Sequence, residues 1–329
     1  MSDPIRGFCF IEKQKYLFRA APLVGQLQSP YCEGMSETKS NPILAASLTV
    51  LASAFVAGTT LLAKALGTDT LGEPLNALQI SQGRFMFAFM AISMGVLALR
   101  PKFTRPAWGT HAVRSSLGWG GVTLMFAAAA FIPLSDATAI SFLNPVFGML
   151  FAIPFLGEKV GPWRWLSAAI AISGAVILMR PTSGVLEMGA VLALGGALLL
   201  GIELTVIKRL TNGERPLQIL WVNNLIGVCI STAVASFVWI WPNPMQWAAL
   251  AGVGLLMAAA QSCFVNAIRL GDASFVAPFF YTTLVFAALY DGVIFGVFPD
   301  AVSYAGSALI LLAAALLAWR ETKHAKAQN

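Results

Sequence analysis

From residue 42 to residue 320, long apolar runs alternate with short clusters of proline, glycine and charge. These breaks delimit ten segments, at approximately 42–66, 76–99, 108–132, 135–156, 162–180, 184–207, 217–240, 245–268, 272–297 and 300–319. Most are long enough to cross the ~30 Å hydrocarbon layer as helices, at ~20 residues per crossing. The period-two alternation of a membrane barrel is absent, which leaves helices as the spanning form that satisfies its own backbone. Short connections make consecutive helices antiparallel neighbours and leave no room for an inserted soluble domain. The pattern predicts an all-α integral membrane protein with ten transmembrane helices.

Composition agrees. Of 329 residues, 57% are hydrophobic and 11% charged, and the mean hydropathy is +0.74; a soluble domain carries ~25% charged residues. A soluble enzyme, a nucleic-acid binder and a secreted disulfide scaffold are excluded. Cys9, Cys32, Cys229 and Cys263 form no C-x-x-C pair, and His111 and His324 are the only histidines. Neither a metal site nor a cofactor is expected. There is no G-x-S-x-G, no H-E-x-x-H and no ATP-binding motif, so the chain reads as no enzyme and hydrolyses no ATP directly. A channel would need a filter, and no re-entrant loop or acidic ring is visible.

The formal charge of +6 matters less than where the basic residues fall. With the N-terminus in the cytoplasm, the inner loops hold Arg100, Lys102 and Arg105, then Lys159 and Arg164, then Lys208, Arg209 and Arg215, then Arg269. The outer side holds Lys64 and Arg180 beside Asp69, Glu73 and Asp300. That bias places both termini in the cytoplasm of a bacterial-type inner membrane. Residues 1–41 read as a cytoplasmic tail. Within it, 1–34 lack the apolar run of a signal peptide, and Met35 opens a segment resembling a natural start, so 1–34 are expected to be a disordered tail or a miscalled start. Residues 321–329 read as a second cytoplasmic tail.

The two halves resemble each other. Leu134-Ser135-Asp136-Ala137-Thr138 opens the fourth span and Leu270-Gly271-Asp272-Ala273-Ser274 the ninth; each leads to an intramembrane proline, Pro145 or Pro278. The fifth and tenth spans end in Arg180 and Arg320. A repeat of five spans inserts its second copy upside down, which predicts a five-plus-five inverted repeat over 42–181 and 184–320, the plan of many secondary transporters. The chain also resembles the ten-helix EamA family of the drug/metabolite transporter superfamily. The resemblance rests on Ala137-Thr138 through Asn144-Pro145-Val146-Phe147, Phe155-Leu156-Gly157-Glu158, Trp165 to Gly174-Ala175-Val176, and Arg84 in Gln82-Gly83-Arg84-Phe85. In the second half it rests on Val276-Ala277-Pro278-Phe279 and Val293-Ile294-Phe295-Gly296, where Val297 and Phe298 stand in place of the usual acidic residue. The resemblance implies an inner-membrane carrier of small organic metabolites, working by alternating access around a central cavity lined by both halves.

Candidate residues follow from the cost of polar groups in lipid. Arg84, two turns into the second span, costs ~2.5–3.5 kcal/mol there without a partner or a wet cavity. It reads as a carboxylate anchor or gate ion pair, or as a snorkelling or structural pair near the external surface. Glu203, at the edge of the Gly189, Ala193, Ala197, Gly201 stripe, reads as a cation or proton site, or as an ion pair with Lys208 or Arg269. Gly254, Ala258, Gln261, Ser262, Asn266 and Arg269 share one arc of the eighth span, which should face the bundle interior. Gln261 and Asn266 there suit a zwitterionic or heterocyclic solute, or serve interhelical bonding. Pro145, after Asn144, and Pro278 mark broken helices whose freed carbonyls can meet a substrate; Asn144 and Tyr281, which adds to the polar content of the ninth span, read as substrate-binding. Trp119, flanked by glycines, supplies an aromatic wall or a helix crossing. Tyr290 and Asp291 extend the polar content of the ninth span or form an external gate, and Lys64 reads as snorkelling.

These residues predict a secondary transporter of a small organic metabolite, an amino acid or related compound first. The alternative is uptake of a vitamin or nucleoside-like cofactor of the riboflavin or S-adenosylmethionine type, and a receptor or scaffold comes behind both. Its partners are a small-molecule substrate and the lipid bilayer, not nucleic acid. Proton coupling, if used, falls to Glu203 or Asp291; the oligomeric state is open.

Overall fold

The computed structural model describes residues 42–101, 103–156, 161–178, 188–210, 214, 216–270 and 277–327. The tail expected over 1–41, Arg180, the Gly157-Glu158 helix end and the Asp272-Ala273-Ser274 signature lie outside them, as do the side chains of Pro145, Lys208, Arg269 and Pro278.

The described chain runs as α1 (Pro42–Gly67), α2 (Ala77–Leu99), α3 (Trp108–Phe131), α4 (Leu134–Ser141), α5 (Asn144–Leu156), α6 (Pro162–Leu178), α7 (Met188–Leu210), α8 (Pro216–Ala235), α9 (Pro244–Leu270), α10 (Thr282–Tyr290) and α11 (Ala301–Ala327). Four of these start on proline, where the missing N–H has no intrahelical partner to lose. Asn243 and Gln246 cap α9 reciprocally: Gln246 N donates to Asn243 Oδ1 at 2.8 Å and Asn243 N donates to Gln246 Oε1 at 3.0 Å. Among the described residues, the segments 43–67, 77–99, 188–207, 217–238 and 244–264 are long and apolar enough to cross a membrane as continuous helices.

The fourth and ninth spans are interrupted within 135–156 and 272–297, at the breaks that Pro145 and Pro278 lead one to expect. The fourth breaks into α4 and α5 at Phe142–Leu143, just before Pro145, whose ring nitrogen has no N–H for the Ser141 carbonyl. In the described part of the ninth, a 3₁₀ turn, Ala277–Tyr281, precedes α10 and a π turn, Asp291–Phe295, follows it. At the other end of the chain α11 carries on through Ala327, so the tail expected at 321–329 begins as helix.

Packing partners are exchanged between the halves. α1 packs on α9 as α3 packs on α7; the fourth span lies on α7 as the ninth lies on α1; α2 meets α8 and α6 meets α11. This exchange is what a two-fold relation between two five-helix halves requires. Near the start of α2, Gln79 Nε2 donates to Ile240 O at 2.7 Å and Gln79 Oε1 accepts from Ile240 N at 3.2 Å, in the loop after α8. Near the start of α8, Gln218 Nε2 donates to Thr104 O at 3.1 Å and Gln218 Oε1 accepts from Thr104 N at 2.8 Å, in the loop after α2. The two clamps sit at opposite ends of the α2–α8 pair, in the matching sequences Leu78-Gln79-Ile80 and Leu217-Gln218-Ile219. Both glutamines are fully buried.

Small residues let the halves approach, which matters in lipid because apolar surface alone drives no association. Ala193 and Ala197 of the α7 stripe are fully buried. A Cβ on Gly201 would stand 2.5 Å from Phe147 Cβ, and one on Gly189 2.6 Å from Ile132 Cγ2.

Candidate functional site: a cavity between the halves

A cavity of about 290 Å³ opens where α1, α2, α3, α7, α8 and α9 converge. The first repeat contributes Arg84 from α2 and Arg114 from α3; the second contributes Glu203 from α7, Asn223 from α8 and Gln261 from α9. Phe85, Phe264 and Phe280 add aromatic surface.

Arg114 pairs with Glu203, Nε to Oε1, at 3.3 Å, and its Nη1 donates to Ile219 O at 3.2 Å. The carboxylate is seated against Gly118, where a Cβ would lie 3.0 Å from Cδ and from each oxygen. Arg84 is 5% exposed, and its Cζ stands 4.4 Å from the Phe85 ring centre. Among the described residues its Nε and Nη1 have no hydrogen-bond partner, and neither does Gln261 Oε1. Gly254 sets this geometry: a Cβ there would lie 2.5 Å from Phe87 Cβ and 3.0 Å from Arg84 O, so α9 rides directly on α2. Gln261, two turns further along α9, therefore reaches the same cavity as Arg84.

The other expected residues disperse. Asn266 is exposed, and its Nδ2 donates to Ser262 O at 2.9 Å. Five residues turn a helix by about 140° from Gln261, so the arc is too wide for both its edges to face one cavity. Trp119 Nε1 donates to Ser81 Oγ at 3.2 Å, tying α3 to α2 one position round from the cavity-lining Gly118. Asn144 starts α5, with its carbonyl 2.8 Å from the position of a Cβ on Gly201. Tyr281 meets Phe142 edge-on at 5.1 Å, while its neighbour Phe280 lines the cavity. Pro145 and Pro278 stand at the two breaks already described. Glu203 pairs with Arg114; the side chains of the partners expected for it, Lys208 and Arg269, lie outside the described residues.

Two polar clusters flank the cavity. At the end of the bundle holding the close of α1, Asp291 Oδ1 accepts from Lys64 Nζ at 2.5 Å and Oδ2 accepts from Leu134 N at 2.6 Å. Lys64 is thus a buried ion-pair partner and does not snorkel: Asp291, on the π turn, draws it inward, and its ammonium lies 4.7 Å from the Phe295 ring centre. Tyr290, next to Asp291, directs its hydroxyl to Ala54 O at 3.5 Å. At the opposite end, Glu214 Oε1 accepts from Ala107 N at 2.9 Å, and Oε2 meets His111 Nε2 at 2.9 Å and Gln218 Nε2 at 2.8 Å. Burial pushes the Glu214 carboxyl up, but the Ala107 N–H, the His111 ring and the Gln218 amide outweigh it and hold it below the usual carboxylate range.

Arg114 and Asn223 are cavity residues that sequence reading missed. A charge seven residues into the third span carries the same insertion cost as Arg84, and that was the available signal. Asn223, whose Oδ1 accepts from Ser115 Oγ at 3.0 Å, gave no such signal among ordinary interhelical amides.

A sequence profile described as the EamA-like transporter family matches residues 43–180 and again 187–319. The chain belongs to the EamA-like transporter family. Its two matches correspond to the two five-helix halves. Among family relatives, the "Riboflavin transporter" of Rhizobium johnstonii is 32% identical over 262 residues, 78% of this chain and 85% of the relative. The "S-adenosylmethionine uptake transporter" of Rickettsia prowazekii is 25% identical over 258 residues, 77% of this chain and 86% of the relative. A crystal structure at 20% identity and a TM-score of 0.57 covers 83% of this chain and 98% of its own, and shows the fold. This EamA-like chain is a multi-pass membrane protein of a small-molecule transporter family.

Proposed function

We propose that this chain is a secondary carrier that takes up a vitamin or nucleoside-like cofactor across the inner membrane by alternating access, with both termini in the cytoplasm. The observation that carries the reading is the cavity between the halves. It offers unpaired donors on Arg84 and an unpaired acceptor on Gln261 beside three phenylalanines, which suits a flat heterocycle with a polar edge. Relatives named for riboflavin and S-adenosylmethionine support a cofactor over an amino acid. The Lys64–Asp291–Leu134 cluster closes the outer side and the Glu214 cluster the inner side. Any coupled proton is assigned to Glu203, the carboxylate at the cavity, because both Asp291 oxygens are held at the outer seal.

Flux into proteoliposomes tests this. Labelled riboflavin or S-adenosylmethionine should enter, and unlabelled cofactor should compete. Entry of amino acids with exclusion of both cofactors would overturn the reading. Loss of the pH dependence of uptake in Glu203→Gln, with retention in Asp291→Asn, is the expected sign of the proton assignment.

A further inference from the structure

The charge in the cavity is unbalanced, and the imbalance selects among the solutes of the carrier reading above, on which this step rests. Among the described residues, two guanidinium groups and one carboxylate line the cavity. Glu203 is engaged with Arg114, held at 3.3 Å and seated against Gly118. Arg84 is left as a cation, 95% buried on its 5% exposure, with N–H donors on Nε and Nη1 that only an acceptor can satisfy. Gln261 Oε1 is the complementary group, an acceptor that needs a donor. Phe85, Phe264 and Phe280 supply faces for a flat ring.

We propose that the cavity takes a solute with carbonyl or anionic acceptors for Arg84, an N–H donor for Gln261, and no net positive charge. The flavin ring meets all three conditions: it is flat and neutral, and its imide edge runs carbonyl, N–H, carbonyl. S-adenosylmethionine brings a fixed sulfonium into a cavity that already has an excess cation, where the one carboxylate, Glu203, already pairs with Arg114. The charge set therefore separates this chain from the sulfonium carriers it resembles. Arg84 is the specificity-determining residue, and Gln261 orients the ring edge.

The test is binding to the full-length protein in detergent, read by thermal shift and titration, with four probes. Riboflavin and S-adenosylmethionine are the cofactor pair; benzoate and trimethylphenylammonium are an aromatic pair differing in charge. Riboflavin should bind at least ~10-fold more tightly than S-adenosylmethionine, and benzoate more tightly than trimethylphenylammonium. Arg84→Lys, which keeps the charge but not the planar donors, should weaken riboflavin by about 10- to 100-fold, the value of one charge-assisted hydrogen bond. Gln261→Met should weaken riboflavin and leave benzoate in place. Equal or stronger binding of either cation, or unchanged riboflavin affinity in Arg84→Lys, would overturn the proposal. The four-probe comparison needs no variant, so a misfolded variant does not rescue the idea. Preference for benzoate with no binding of either cofactor would keep the charge selection and end the cofactor reading. No binding of any probe would end both.

Discussion

Glu203 is held in place by the absence of a side chain at Gly118. Gly118→Ala puts a methyl 3.0 Å from the carboxylate, which should give by a few tenths of an ångström against Arg114, with a small loss of stability and a raised KM for transport; thermal unfolding and flux on the same sample check both. Glu203→Gln leaves Arg114 buried beside a neutral partner, and removing one member of a buried pair costs ~3–5 kcal/mol. The double change Arg114→Met, Glu203→Met should recover most of that loss in the unfolding temperature. Glu214 carries the pH response. Its carboxyl is held below the usual range, so its contribution is full above the ordinary carboxylate pKa of ~4.3 and is lost as pH falls through the depressed value. The wild type should therefore show an acid limb in stability that is reduced in Glu214→Gln, checked by unfolding over a pH series. Arg84, Glu203 and Gln261 were legible in the sequence because a polar group inside a span needs a reason. Arg114 was legible by the same rule and passed over. Trp119 and Asn266 were not legible: a wheel orders residues around one helix but does not say which sector its neighbours leave open.

Spans with clean boundaries follow proline and glycine closely, as α1, α2 and α9 do. The interrupted ones do not, because hydropathy is blind to a break that keeps the run apolar. Pro145 and Pro278 announced the two breaks, yet the π turn at Asp291 has no proline and depends on Lys64 and α4 being near. The paired glutamines show the same limit. Leu-Gln-Ile occurs at the start of both α2 and α8 in plain view, but its partners, Ile240 and Thr104, are more than a hundred residues away. Gln79→Leu takes its partner from the half-buried Ile240 N–H and C=O, and Gln218→Leu does the same at the exposed Thr104, where water can replace the bonds, while also removing an amide from Glu214. Both changes should lower stability. They should also add in the double variant, since the clamps share no residue; denaturation of the three proteins measures this.

The cavity draws its cations from one half and its carboxylate and amides from the other, so binding a solute bridges the halves. That arrangement was not legible in the sequence. The five-plus-five count was, because short loops and an odd number of spans leave one topology. At the end of the bundle that holds the close of α1, Lys64→Met strands Asp291 without its cation and should cost ~3–5 kcal/mol; Lys64→Met with Asp291→Leu should regain part of that stability, the Leu134 N–H losing its acceptor, while leaving that end easier to open. A membrane-impermeant thiol reagent acting on a cysteine at Val56, in a protein whose natural cysteines are serine, should then label faster than with the seal intact. The reciprocal clamps carry one more implication. Each half displays a glutamine that wants a loop and a loop that wants a glutamine, the self-complementary surface of a symmetric dimer. A single five-helix half would meet its own needs by embracing an upside-down sibling, so the covalent link between the halves fuses what two separate molecules could have formed by association alone.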